Sequence, residues 1–424
     1  MLQAYKYHDL CYHNEKWFYI TRHDFETQHV EDAEVTGGND NHLAVSLAPL
    51  GSSSILQWHR HRIPDEDTAE QKFIPEIINQ RDFIKEAVGL VSYFRYVSYN
   101  AENFGHFLSD ELFPAYSMLE AFDELDYNVQ MIRHELKEPL QWSCDYQLKN
   151  WGPVQGKKCM FRYKQLSHLF TANEVITVKN YTRDMGGRNH HPICFRKVAA
   201  GMGMLADHCE DGIGHGRKSN TRHDCNQGRQ ATLYNFRRYV MHNIGIRDVL
   251  PKKNRVIIWD RDVKDYKAER KIFGLSKLKK RIEESLNIEV MLFVTWHGKP
   301  IKYQIKEMSR STIFITGPGS GSFISWFLPR GSTQIRLYPE WFKMEWFLFN
   351  YMPHMHVEHI NCKGGHFDED VIIDVETYLP YIMKGVNHVC RDPSKNCENM
   401  TAWHIVYSMT PQCNYIFDRC MSET

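Results

Sequence analysis

From Asn254 onward the chain falls into a rhythm that few architectures can satisfy. "NRVIIWD" is an unbroken apolar run and "GLSKLKKRIEESL" an amphipathic helix pattern. "IEVMLFV", "IKYQIKEMSR", "STIFITG", "SFISWFLP" and "TQIRLYP" continue the alternation. Short apolar runs that do not alternate with polar residues suit strands covered on both faces, and helices between them supply the cover. Strand and helix in turn predict a parallel sheet of Rossmann type. A helix over "ATLYNFRRYVMHNIGI", ending near Gly245, precedes the first run. The α/β domain is therefore placed at 241–424. The 424 residues exceed what one core usually spans. Residues 1–240 form a second, less regular domain, and the polar, Gly-containing tract at 210–230 is the best linker candidate.

Lys plus Arg and Asp plus Glu both number 52, with a pI near 7.3. That balance gives no global field for nucleic acid or an anionic membrane, and no basic run is interleaved with aromatics. No run of about 18 apolar residues is present, so no membrane span is expected. The N-terminus lacks the basic-then-apolar layout of a signal. An anchor or leader, if the protein has one, would lie upstream of Met1. Eleven cysteines are scattered without a C-x-x-C, which argues against structural zinc. With glycosylation triplets at Asn180 and Asn399 they point to a secretory lumen and to disulfides.

Three stretches carry chemistry. In "SYNAENFGHFLSDELFPAYSML", Asn100 is a candidate N-cap, and Phe104, Phe107, Leu108, Leu112 and Ala115 form a helical stripe. At about 100° per residue, Asn103, His106 and Asp110 cluster beside that stripe. Pro114 cannot donate to the carbonyl of Asp110, so an irregularity is expected there. A His and an Asp one turn apart can form a proton-abstracting pair, although a satisfied polar edge would look the same locally.

The second stretch is the strand ending in Asp260, Arg261 and Asp262, with Arg270 beyond. Two carboxylates could hold a divalent ion against a nucleotide diphosphate. Alternatively Arg261 and Arg270 grip the diphosphate directly, or the segment is a charged loop. The third is "FITGPGSGSFISWFLPRGS", where backbone N–H groups at Gly319, Ser320, Gly321 and Ser322 lie at a helix start that favours an anion. It is neither a P-loop nor a dinucleotide fingerprint. His354, His356 and His359 are a weaker metal candidate, because 23 histidines make clusters common.

In this order and spacing the three blocks resemble the inverting enzymes of glycosyltransferase family 61. That family includes plant β-1,2-xylosyltransferases and animal enzymes adding N-acetylglucosamine to EGF repeats or O-mannose. The matching residues are Asn103, His106 and Asp110 with "LFP", then Arg261 and Arg270, then "FLPRG" at 327–331. The resemblance implies an α/β fold of the GT-B-like kind, two Rossmann-like domains facing a cleft. It implies a UDP-sugar co-substrate in the C-terminal domain, no required metal cofactor, and a glycan or glycoprotein acceptor, in the Golgi or endoplasmic reticulum. His106 and Asp110 would be catalytic and Asn103 would line the acceptor cleft. Arg261, Arg270, Gly319, Ser320, Gly321 and Ser322 would hold the nucleotide sugar, joined by Glu340 after "LYP". Two departures stand out. Pro318 takes the family's usual His position, and Arg336 occurs where an acid is often found. They leave room for a non-catalytic sugar- or nucleotide-binding relative.

Overall fold

A strand, a helix and a parallel return strand make a crossover unit, and the first part of this chain contains two in succession. In the computed structural model the residues described are 5–13, 16–20, 76–78, 88–90, 93–96, 103–133, 143–177, 193–200, 230–260, 272–293, 299–317, 319–339, 352, 354–362 and 371–388. The chain divides into two units, Met1–Arg217 and Lys218–Thr424. The division falls inside the polar tract at 210–230. The boundary read from the rhythm, 240/241, cuts a helix whose side chains pack within the second unit.

The first unit begins with β1 (Tyr5–His13), β2 (Lys16–Ile20), β3 (Glu76–Ile78), β4 (Val88–Leu90) and β5 (Tyr93–Tyr96). A continuous helix over 104–121, α1, leads to β6 (Gln130–Arg133). Then α2 (Cys144–Asn150) and α3 (Pro153–Ser167) lead to β7 (Ile176–Thr177), followed by β8 (Ile193–Ala200). The sheet order is β3-β2-β1-β8-β5-β6-β7, with β4 also beside β8. β1 runs antiparallel to β2 and β8, whereas β8, β5, β6 and β7 are mutually parallel. This unit is thus a mixed sheet with a parallel half. Cys11 and Cys194, direct partners across β1 and β8, form a disulfide.

The second unit starts with α4 (Gln230–Asn243). It continues through β9 (Arg255–Trp259), β10 (Ile272–Phe273), α5 (Leu275–Leu286), β11 (Glu289–Phe293), α6 (Ile301–Ser309) and β12 (Ile313–Thr316). A 3₁₀ helix (Ser320–Phe327) precedes β13 (Ser332–Pro339), β14 (Met355–Cys362), β15 (Val371–Ile372) and α7 (Val375–His388). Five strands make a wholly parallel sheet in the order β11-β9-β12-β13-β14. Counted along the chain this is 2-1-3-4-5, one of the two common doubly wound orders. β10 and β15 pair separately.

The sheet rests on one face against an apolar core. Val256, Ile258, Ile313, Ile315, Ile335 and Leu337 come from the strands. Leu275, Leu278 and Ile282 of α5, and Tyr378, Leu379 and Ile382 of α7, pack against them. The i, i+3, i+7 spacing on α5 is what turns those three residues inward. Each fully buried Leu or Ile contributes about 1.5–3 kcal/mol relative to exposure.

Candidate functional sites at the carboxyl ends of the strands

In open α/β sheets, ligands bind outside the carboxyl ends of parallel strands where the strand order reverses. Each unit has one such point. In the first, β5 has its successor β6 on one side and β8 on the other. The helix that follows β5 starts at that edge, and Asn103 and His106 stand at its beginning. Asn103 is the half-buried residue just before the helix, and its carbonyl accepts from Phe107 N–H at 2.9 Å. It therefore holds the N-cap place that the sequence suggested for Asn100, because the helix begins three residues later than the polar pattern implied.

The first helix is α-helical over Phe104–His106, π-helical over Phe107–Leu112 and α-helical again over Phe113–Ala121. The π turn ends two residues before Pro114, which has no N–H for the carbonyl of Asp110 four residues back. Such turns are uncommon and cluster at functional sites. Asp110 lies within it, and His106 is the last residue before it. A wider turn changes the angular offset between them, so the sequence-derived clustering at 100° per residue does not carry over unchanged. Phe107, Leu108, Leu112 and Ala115 are buried as expected, and Phe107 meets Tyr163 of α3 edge-on, 5.7 Å between centroids. Ser109 donates its hydroxyl to the Gly105 carbonyl at 2.7 Å. Glu111, which the pattern did not single out, is buried in the same turn. The side chains of His106 and Asp110 lie outside the described residues.

In the second unit the reversal falls between β9 and β12. Their parallel register pairs Ile313 with Val256 and Ile315 with Ile258, so Asp260 and Gly317 leave the sheet side by side. Two stretches far apart in sequence thus meet at one edge. Gly321 lies against the Trp259 ring so closely that a Cβ there would come within 1.8 Å of it. Gly319 has φ +113°, a region open to glycine. The turn closes on itself: Ser322 N–H and the Ser322 hydroxyl both donate to the Gly319 carbonyl, at 2.9 and 2.7 Å. Beneath it, Gln334 Nε2 donates to the Ser322 carbonyl at 3.3 Å, and Ser325 donates to Gln334 Oε1 at 3.0 Å.

Arg336, fully buried on β13, reaches the Ser322 hydroxyl at 3.5 Å. The residue found where the resemblance often has an acid thus lies under the glycine turn. Its partner across the ladder is His359. Burial, and then the Arg336 charge, hold the His359 pKa at about 3. His356 and His359 are three apart on one strand, which puts them on opposite faces. His354 is buried off the strand, its Nε2 3.1 Å from the Trp326 carbonyl, and burial keeps it neutral with a pKa of about 3. The three histidines do not converge. Trp259 and Gln334, which the sequence reading did not single out, shape the glycine turn through contacts that the fold alone creates.

Behind the turn, α4 is locked by a buried cation. Arg237 bonds both Asp248 carboxylate oxygens, at 2.8 and 2.9 Å, and donates through Nε to the Leu328 carbonyl at 2.9 Å. Burial raises the Asp248 pKa, but hydrogen bonds and charge from Arg237 outweigh it and hold the carboxyl below its ordinary value. Phe236 meets Trp326 edge-on at 6.0 Å. Arg261, Asp262, Arg270, Pro318 and Glu340 lie outside the described residues, as do Asn180, Asn399 and the tract at 210–229.

No family model matches this chain, and no curated protein matches it. Among solved structures, a mutant flavo di-iron protein from Thermotoga maritima aligns at 8% identity, covering 68% of this chain and 85% of that one. Its TM-score of 0.24 carries no argument about fold or function.

Proposed function

We propose that the protein is an inverting glycosyltransferase that moves a sugar of the xylose, arabinose or N-acetylglucosamine class from a UDP-sugar to a glycan or glycoprotein hydroxyl. The observation that carries this reading is the meeting of the Asp260 segment and the glycine turn at the switch point between β9 and β12. That is where a doubly wound sheet takes a nucleotide. The reading implies a GT-B-like arrangement with the donor on the second unit. His106 and Asp110 together take the proton of the acceptor hydroxyl, and Asn103 orients the start of their helix. The acceptor oxygen attacks the anomeric carbon as the bond to the diphosphate breaks. Charge developing on UDP is met by Arg261, Arg270 and the amides of Gly319, Ser320 and Gly321, with Ser322 shaping the turn and Glu340 toward the nucleoside. No metal is required. The disulfides Cys11–Cys194 and Cys144–Cys159 among the described residues support a lumenal setting in the secretory pathway.

The experiment is a donor screen that measures UDP release with and without EDTA. Turnover that persists in EDTA is expected. Loss in EDTA would move the chemistry to Asp260 and Asp262 as metal ligands, and UDP binding without turnover on a broad acceptor panel would mark a non-catalytic relative. Arg261→Ala should cut kcat/KM by about a hundredfold or more while the protein stays folded, the scale of removing one charge-stabilising donor. Unchanged turnover in a folded mutant would sink the assignment.

A further inference from the structure

The outer face of α3 is exposed and carries none of the residues assigned above to sugar transfer. At about 100° per residue, Gly156, Cys159, Tyr163 and Leu166 share one side, and all are buried. Directly opposite stand Val154 and Phe161, 81% and 63% exposed. Lys157 and Lys164 flank that apolar stripe on one side, Lys158 and Arg162 on the other, and the α3 sequence contains no acid. Leu148 and Trp151, 49% and 45% exposed, add apolar surface at the turn into the helix. Lys164 pairs with the exposed Glu174 at 3.7 Å, the kind of contact worth little.

This surface is held in place from behind. Ser143 caps α2 by accepting from Tyr146 N–H at 3.2 Å. The Cys144–Cys159 disulfide ties α2 to α3. Gly156 lies so close to Leu148 that a Cβ would come within 2.6 Å of its Cα. The hairpin is thus fastened from its inner side, by contacts that do not involve Val154 or Phe161.

We infer that this face of α3 docks on a phospholipid surface bearing anionic headgroups. A stripe of Val and Phe bordered on both sides by cations is the make-up of a helix that lies in a membrane interface. Lysine stems can cover the stripe edges while their ammonium groups reach the phosphates. Three of the four cations are lysine, a residue depleted where proteins meet proteins, so lipid is favoured over an acidic protein. The overall charge balance conceals this patch, because a field of this kind reaches only about 8 Å at physiological salt. The inference is independent of the sugar-transfer reading.

Sedimentation of the full chain with sucrose-loaded vesicles tests it. The protein should bind vesicles of phosphatidylcholine mixed with phosphatidylserine and bind phosphatidylcholine alone far less. Lys157→Gln with Lys158→Gln should lower the partition coefficient by at least about tenfold, and Val154→Ser with Phe161→Ser should do likewise. Both pairs are exposed, so the melting temperature should hold. Failure to bind the mixed vesicles, or equal binding by wild type and both variants, would overturn the inference. So would retention on a soluble acidic polymer without vesicle binding, or self-association through this face.

Discussion

Trp259 decides what residue 321 can be. Its ring fills the space where any Cβ would project. Gly321→Ala should therefore destabilise the second unit by about 1–3 kcal/mol, the usual cost of overpacking, as read by urea denaturation. Trp259→Leu in the same chain should recover part of that loss, and no recovery would mean that the glycine is needed for another reason. The histidines give a pH signature. The folded pKa values of His354 and His359 lie at about 3, below the ordinary 6.5. The stability that each contributes is therefore present above pH 6.5 and is lost as pH falls from there toward 3. At pH 5 each should have cost about 2 kcal/mol relative to neutral pH. His354→Gln should flatten the slope of stability against pH between 7 and 5 by roughly half of that two-histidine total. A slope identical to wild type would contradict the neutral buried ring.

At the scale of elements, the first helix and the α2–α3 hairpin make separate predictions. Replacing both Cys144 and Cys159 by Ser removes a cross-link spanning 15 residues. The loss should be at most about 3 kcal/mol, seen as faster amide exchange in α2 and α3 before the rest of the first unit. Pro114→Ala restores a donor, and the π turn should then narrow toward an α turn. Under the sugar-transfer reading the His106–Asp110 offset changes with it, so kcat should fall while the melting temperature holds or rises. Unaltered kcat in a variant with a regular helix would separate the π turn from catalysis. Most elements of the second unit were legible in advance, since apolar runs such as "NRVIIWD" and "STIFITG" are bounded by helices with a clear stripe. The π turn was legible only as a disturbance: Pro114 forbids one hydrogen bond, but surrounding packing selects the wider turn that replaces it.

At the scale of the whole molecule, the prediction concerns which unit carries the nucleotide. UDP at a hundredfold excess over its Kd should stabilise whichever unit binds it by about 2.7 kcal/mol. In calorimetry, the transition that UDP raises should be the one that Gly321→Ala lowers. If UDP shifts a transition that this substitution leaves alone, the nucleotide does not belong to the second unit. Periodicity along the chain announced the α/β character of the second half, its elements from α4 to β13 apart from β10, and the residue types that the sugar-transfer reading uses. These are local properties, set by periodicity and side-chain chemistry within a dozen residues. Tertiary structure alone decided that β9 neighbours β12, that Trp259 lies against Gly321, and that Arg336 and Gln334 lie beneath the glycine turn. It also decided that the apolar residues on the outer face of α3 are left exposed on the first unit. Those outcomes depend on strand order and register, which follow from the global packing of a core and are written in no single stretch of chain.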